Sequence, residues 1–137
     1  MADGISYFNK DIEFKILSEH YKEKSFQAYA LDLPKIKEVL PINLPTVFAD
    51  EKRIDNLFLL EDGTLAIVDY ESTDKLSNRI KYINYIVRFT EKYYEDARKI
   101  PDLRIIVIYT GDIGKAKDTL ETSCFLLKME QVFLSKL

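Results

Sequence analysis

Apolar and polar positions follow two different rhythms along this chain, and the switches between them mark its elements. Over residues 9–30 apolar side chains recur at helical spacing, with Phe14, Leu17 and Tyr21 in one series and Ile12 and Ile16 in another. Asn9 suits an N-cap, and Asp11 and Glu13 put negative charge in the first turn, where the helix dipole favours it. Pro34 suits the first turn of a second, short helix over residues 31–40. Pro41 and Pro45 interrupt the chain, and residues 46–49 read as a short strand. From Arg53 the rhythm changes to a period of two on both sides of Asp62-Gly63, which predicts a β-hairpin. Helical spacing returns over residues 74–98, capped by Thr73 or Ser72. Leu76, Ile80, Ile83, Val87 and Tyr94 form its apolar stripe, widened by Ile86 and Phe89, with Lys81, Arg88 and Lys92 opposite. Pro101 and Asp102 end that helix. The run LRIIVIY, residues 103–109, is continuous and rich in β-branched side chains, as a central buried strand requires, and Gly111 closes it. Residues 115–120 suggest a helical turn, and residues 124–134 a last strand or amphipathic segment. The order α, β, β, β, α, β with a mixed tail predicts an α/β or α+β sandwich with a mixed sheet, in one domain over residues 1–137.

The hairpin contains a conflict. Asp55 on its first arm and Asp69 and Glu71 on its second stand where apolar residues are expected, and buried carboxylates are costly unless paired, protonated or bound to a cation. Asp55, Leu57 and Leu59 share one face of the first arm; Leu65, Ile67, Asp69 and Glu71 share one face of the second. A two-residue Asp62-Gly63 loop would set Asp55 opposite Tyr70. A three-residue Glu61-Asp62-Gly63 loop, with Gly63 left-handed, sets Asp55 opposite Asp69 and gathers the carboxylates, so this register is preferred. The other face, with Ile54, Phe58, Leu60, Ala66 and Val68, is apolar too. Both faces of the sheet therefore need cover, which predicts helices on each.

Composition narrows the function classes. The 137 residues carry a net charge of -3, against a strongly basic coat for nucleic acid, though a local basic groove is compatible with it. The single cysteine, Cys124, forms no intramolecular disulfide and suggests a reducing compartment. The N-terminal stretch lacks the apolar core of a signal peptide, and no run is long enough to span a membrane. The expected location is cytoplasmic. His20, the one histidine, reads as a surface or half-buried group, and Cys124 as a small core residue.

A carboxylate on one strand with two more at i and i+2 on its neighbour suits a hard cation, Mg²⁺ or Mn²⁺, with the backbone carbonyl of Tyr70 as a further oxygen ligand. Such an ion can activate water against a phosphodiester. Lys75 and Arg79, one turn apart at the start of the second long helix, are the candidates to stabilise transition-state charge. The structural alternatives are strand-end acids facing solvent, an ion pair of Asp55 with Arg53 or Arg79, and a solvated helix start for Lys75 and Arg79.

The segment RIDNLFLLEDGTLAIVDYESTDKLSNRIKYINY resembles the bacterial family of recombination-promoting nucleases and transposase-like proteins, within the PD-(D/E)XK nuclease superfamily. The resemblance rests on Asp55, the Asp62-Gly63 turn, Asp69-Tyr70-Glu71-Ser72, and Arg79 with Tyr82, and extends more weakly over residues 9–112. It implies a restriction-endonuclease-like three-layer sandwich, with a mixed central sheet and helices on both faces, and a Mg²⁺-dependent DNA endonuclease. In that reading Asp55, Asp69 and Glu71 hold metal, with Glu71 as metal ligand or base and Lys75 or Arg79 as the charge stabiliser. Two departures stand out: Ile54 replaces the superfamily's proline, and Glu71 occupies the usual lysine position. The alternatives are a catalytically degenerate module that binds DNA or protein, and a partner-binding domain that forms a homodimer through a sheet edge or the tail.

Overall fold

The computed structural model describes residues 31–41 and 56–137. Among the described residues, seven strands and one long helix follow in the order β1 (Ile36–Leu40), β2 (Asn56–Leu60), β3 (Leu65–Glu71), α1 (Leu76–Ala97), β4 (Leu103–Tyr109), β5 (Thr119–Glu121), β6 (Leu126–Lys128) and β7 (Glu130–Phe133), ending in a 3-10 turn at Leu134–Lys136. Five strands form one mixed sheet in the order β1-β2-β3-β4-β7; β5 and β6 pair separately. The protein is thus α/β. The predicted helix of residues 9–30, the strand at 46–49, His20 and Asp55 lie outside the described residues.

The hairpin has the three-residue loop. Gly63 carries a φ of +87°, a conformation nearly free of cost only for glycine. Its N–H donates to the Leu60 carbonyl at 3.0 Å, and Leu60 N–H to the Thr64 carbonyl at 2.9 Å. Asp62 accepts from both the backbone and the hydroxyl of Thr64, and these bonds hold its carboxyl below the usual carboxylate range. The resulting register pairs Leu59 with Leu65, Leu57 with Ile67 and Asn56 with Val68. Strand β3 then runs parallel to β4 through seven pairs, from Leu65 with Leu103 to Glu71 with Tyr109. The apolar run of β4 is the central strand expected of it, flanked by β3 and β7, both parallel to it.

Residues 36–40 are a strand, not the predicted short helix. Strand β1 pairs antiparallel with β2, and the register slips by one residue between Ile36 and Glu38. That bulge puts Ile36 and Val39 on the same face. Three-residue spacing in the sequence therefore imitates a helix turn while the backbone is extended. In the tail, the predicted turn at 115–120 is irregular chain leading into β5, and residues 124–134 supply two strands, β6 and β7. Cys124 is exposed, on the turn between β5 and β6, instead of in the core.

Two cores sandwich the sheet. The reverse face buries Ile36, Val39, Phe58, Leu60, Ala66, Val68, Ile106, Ile108 and Val132, with Leu31 and Leu33 against it. The front face buries Leu57, Leu65, Ile67, Ile105 and Val107 under Tyr82, Tyr85 and Phe89 of α1. Each such large apolar side chain contributes roughly 1.5–3 kcal/mol. The face of α1 that packs is rotated from the one predicted: Ile83, Ile86 and Phe89 of the expected stripe do meet the front core. Asn78, Arg79, Lys81, Tyr82, Tyr85 and Phe89 are buried, whereas Leu76, Ile80, Val87 and Tyr94 are each about half exposed, at 49–54%. The helix starts after Lys75, which has extended backbone and makes no side-chain capping bond, so Ser72 and Thr73 do not cap it.

Gly111 secures the end of the sheet where β3 and β4 finish. A Cβ there would clash with the Ser72 carbonyl oxygen, while the neighbouring Thr110 N–H donates to the Glu71 carbonyl at 2.8 Å. Gly111→Ala is expected to cost about 1–3 kcal/mol by forcing these backbones apart. Urea denaturation would read the change, and a midpoint equal to that of the native sequence would refute the close approach.

Candidate functional site

Alternation along β3 sends Leu65, Ile67, Asp69 and Glu71 to the front face, toward α1. The first two meet the aromatic residues of the helix. Asp69, only 1% exposed, meets its first buried turns. There Lys81 Nζ donates to Asp69 Oδ2 at 2.6 Å and to Glu71 Oε1 at 3.0 Å. Tyr82 Oη donates to the same Asp69 Oδ2 at 2.8 Å. Adjacent helix residues thus clamp one carboxylate oxygen, and the ammonium lies 5.2 Å from the centre of the Tyr82 ring.

The electrostatics follow from burial. Desolvation, and then the contact with Glu71, push the Asp69 carboxyl up to about 7 against the opposing pull of Lys81 and Tyr82. Burial would lower the Lys81 ammonium, but the Asp69 and Glu71 carboxylates outweigh it and the net shift is upward. The Tyr82 hydroxyl is raised strongly, by burial first and then by Asp69, so it remains a donor. Tyr109, which ends β4 opposite Glu71, is also raised, by burial and by Asp74.

Asp69 and Glu71, singled out from the sequence, therefore converge on one cation. Tyr70 lies between them with its ring turned to the other side of the strand, 41% exposed. Lys75 is the exposed residue before the helix. Arg79 is buried, but its Nη1 donates to Asp74 Oδ1 at 2.7 Å. Asp74 Oδ2 accepts the Lys117 N–H at 3.1 Å, so this pair ties the start of α1 to the chain beyond β4. The cation at the carboxylates is Lys81, a residue the sequence reading set on the polar side of the helix. One signal would have found it: Asn78, Tyr82, Tyr85 and Phe89 also keep helical spacing, with Lys81 on their flank.

The donor chemistry bears on a metal. Oxygens of Asp69 and Glu71 both lie within 3.0 Å of one positive centre, which is the convergence a hard cation requires. No group of three or more His, Cys, Asp or Glu side chains placed to hold a metal occurs among the described residues. Nor is any helix among them long and apolar enough to cross a membrane.

What the fold and site define together is an α/β protein with a mixed five-stranded sheet and a buried carboxylate–lysine cluster at the C-terminal ends of its central strands. No known family, curated protein or solved structure matches the chain.

Proposed function

We propose that the protein is a metal-dependent DNA endonuclease with a restriction-endonuclease-like fold, related to the recombination-promoting nucleases and acting in the cytoplasm. One observation carries the reading: Asp69 and Glu71 converge at the end of a central strand on a lysine delivered by the following helix. Lys81 offers there the positive charge that Glu71, standing in place of the superfamily's lysine, cannot. Asp69 and Glu71, with Asp55 and the Tyr70 carbonyl as expected from the sequence, are the residues that would hold Mg²⁺ or Mn²⁺. When bound, that ion would polarise the phosphodiester and acidify a water. Asp69 Oδ2 is fixed in place by Tyr82 and Lys81. Glu71, only partly buried and accepting from Lys81 at 3.0 Å, would take a proton from the attacking water. The Lys81 ammonium offsets negative charge on the phosphorane oxygens.

The direct test is nicking of supercoiled plasmid in Mg²⁺ or Mn²⁺. Asp69→Ala is expected to lower the rate about 10²–10³-fold, the usual effect of losing one electrostatic contributor. A native protein that nicks no faster than this variant would end the enzymatic reading.

A second reading has its own support: Lys81 already contacts both carboxylates within 3.0 Å, as a structural ion pair in a catalytically degenerate module would. Calorimetric titration with Mn²⁺ separates the two. Heat that disappears in Asp69→Ala favours the nuclease; no heat with the native protein favours the module.

A further inference from the structure

Charge is spread unevenly over the chain. Residues 72–79, 110–117 and 134–137 hold five cations, Lys75, Arg79, Lys115, Lys117 and Lys136, against two acids, Asp74 and Asp112, in a chain whose net charge is -3. The fold brings these three segments together beside the carboxylate cluster. Asp74 Oδ2 accepts the Lys117 N–H at 3.1 Å, which sets Lys117 beside the start of α1. Ile113 and Ala116 pack on the front core, so the chain between them crosses that face next to the helix. The Ser135 hydroxyl donates to the Ile113 carbonyl at 2.7 Å, and the Lys136 side chain lies against Gly114. Lys136 Nζ stands 5.7 Å from the centre of the Phe133 ring, Phe133 stacks on Tyr109 at 5.1 Å, and Tyr109 pairs with Glu71 across β3 and β4. Lys75, Lys117, Lys115 and Lys136 therefore follow one another along a rim beside Glu71.

All four lysines are exposed. None forms an ion pair among the described residues, where Arg79, Lys81, Lys92 and Arg104 each do. Asp74 is balanced by Arg79, which leaves the four lysines against Asp112. The next acid along the chain, Asp118, lines a cavity with Leu103 and Arg104 at the far end of β4. We infer that this rim is the track for the phosphate backbone of the DNA that the carboxylate site would cut. The identity of the polyanion rests on the nuclease reading; the charge and its placement do not. A single small anion is held by donors that converge on one pocket, whereas lysines strung along a rim suit a repeating charge. Residues 114–117 span up to ~10 Å, and one strand of a duplex presents a charge every ~3.4 Å of its axis, so the rim faces about three to four phosphates. Lysine meets each of them as a point charge and positions the backbone without reading bases. The acidity of the remaining chain confines the polyanion to this one face.

Fluorescence anisotropy of the full chain with a labelled DNA duplex in EDTA, repeated across salt concentrations, tests the track without cleavage. The native protein is expected to show log Kd rising with log salt at a slope of about 3–4. Combining Lys115→Gln, Lys117→Gln and Lys136→Gln is expected to lower that slope by about one per lysine. Lys115→Gln with Lys117→Gln, which spares the packing of Lys136 on Gly114, should lower it by about 2. Lys37→Gln, Lys99→Gln and Lys128→Gln together remove the same charge from exposed positions elsewhere and should leave the slope as it is. Equal losses in the rim and control variants would overturn the inference, because net charge and not its place would then govern binding. So would a native protein that leaves the duplex free. Plasmid nicking separates the track from the chemistry. A native protein that binds through these lysines but never nicks keeps the track and ends the nuclease reading. One that nicks, with a slope that the rim variants do not change, keeps the nuclease and ends the track.

Discussion

Lys81→Met lowers stability by about 3–5 kcal/mol at pH 8, the cost of removing one partner from a buried charge pair. Methionine keeps much of the length of the side chain and its contact with Tyr82, so the loss isolates the charge. Asp69, 1% exposed, is left with the Tyr82 hydroxyl alone where it had also an ammonium at 2.6 Å. Glu71, more exposed, can turn toward water. At pH 5 the loss shrinks, because Asp69 titrates near 7 and is already neutral there. Urea unfolding at the two pH values measures both quantities. A cost below about 1 kcal/mol at pH 8 would mean that Lys81 and Asp69 are not held together in solution.

The second expected result is a stability that falls as pH rises from about 4 to 7. Asp69 takes up its proton near 7 in the folded protein and near the ordinary value of 3.8 when unfolded. Between those values the folded state binds more protons, so raising the pH favours unfolding. The full effect of this one group is on the order of 4 kcal/mol. Lys81 acts in a different window. Its raised value contributes stability that is complete below the ordinary 10.5 and disappears as pH rises through the folded value. Asp69→Asn, which retains an acceptor for Lys81 and Tyr82, should flatten the slope between pH 4 and 7. Denaturation curves for the two proteins that run parallel across that range would show that burial does not shift Asp69. Mn²⁺ at pH 8 should restore stability to the native protein and not to the variant if the carboxylates hold the ion.

The residues also show how much of the structure local chemistry could disclose. Period-two alternation, Asp62-Gly63 and the argument that carboxylates should gather were enough for the hairpin and its three-residue loop. The glycine's left-handed backbone and the Leu59–Leu65 pairing agree with it. The β-branched run within 103–109 was enough for a central buried strand, because few other settings accept four such residues in succession, Ile105 to Ile108. The strand at 36–40 escaped because a bulge changes the count of residues per face without any sign in composition.

The choice of buried face on α1 lay beyond the sequence for a different reason. That helix has two faces with helical spacing, an aliphatic one at Leu76, Ile80 and Val87 and an aromatic one at Tyr82, Tyr85 and Phe89. Hydrophobicity by itself favours the first. Only the tertiary structure sets Asp69 and Glu71 under the helix, and two acids there require a cation among the packed residues. Lys81 beside the aromatic stripe meets that requirement, whereas the aliphatic face has no charge to offer. Sequence by itself determined the hairpin, the strand at 103–109, the turn and the identity of the acids. Which lysine answers them was decided by the packing, since a buried charge is tolerated only where the fold brings its partner within reach.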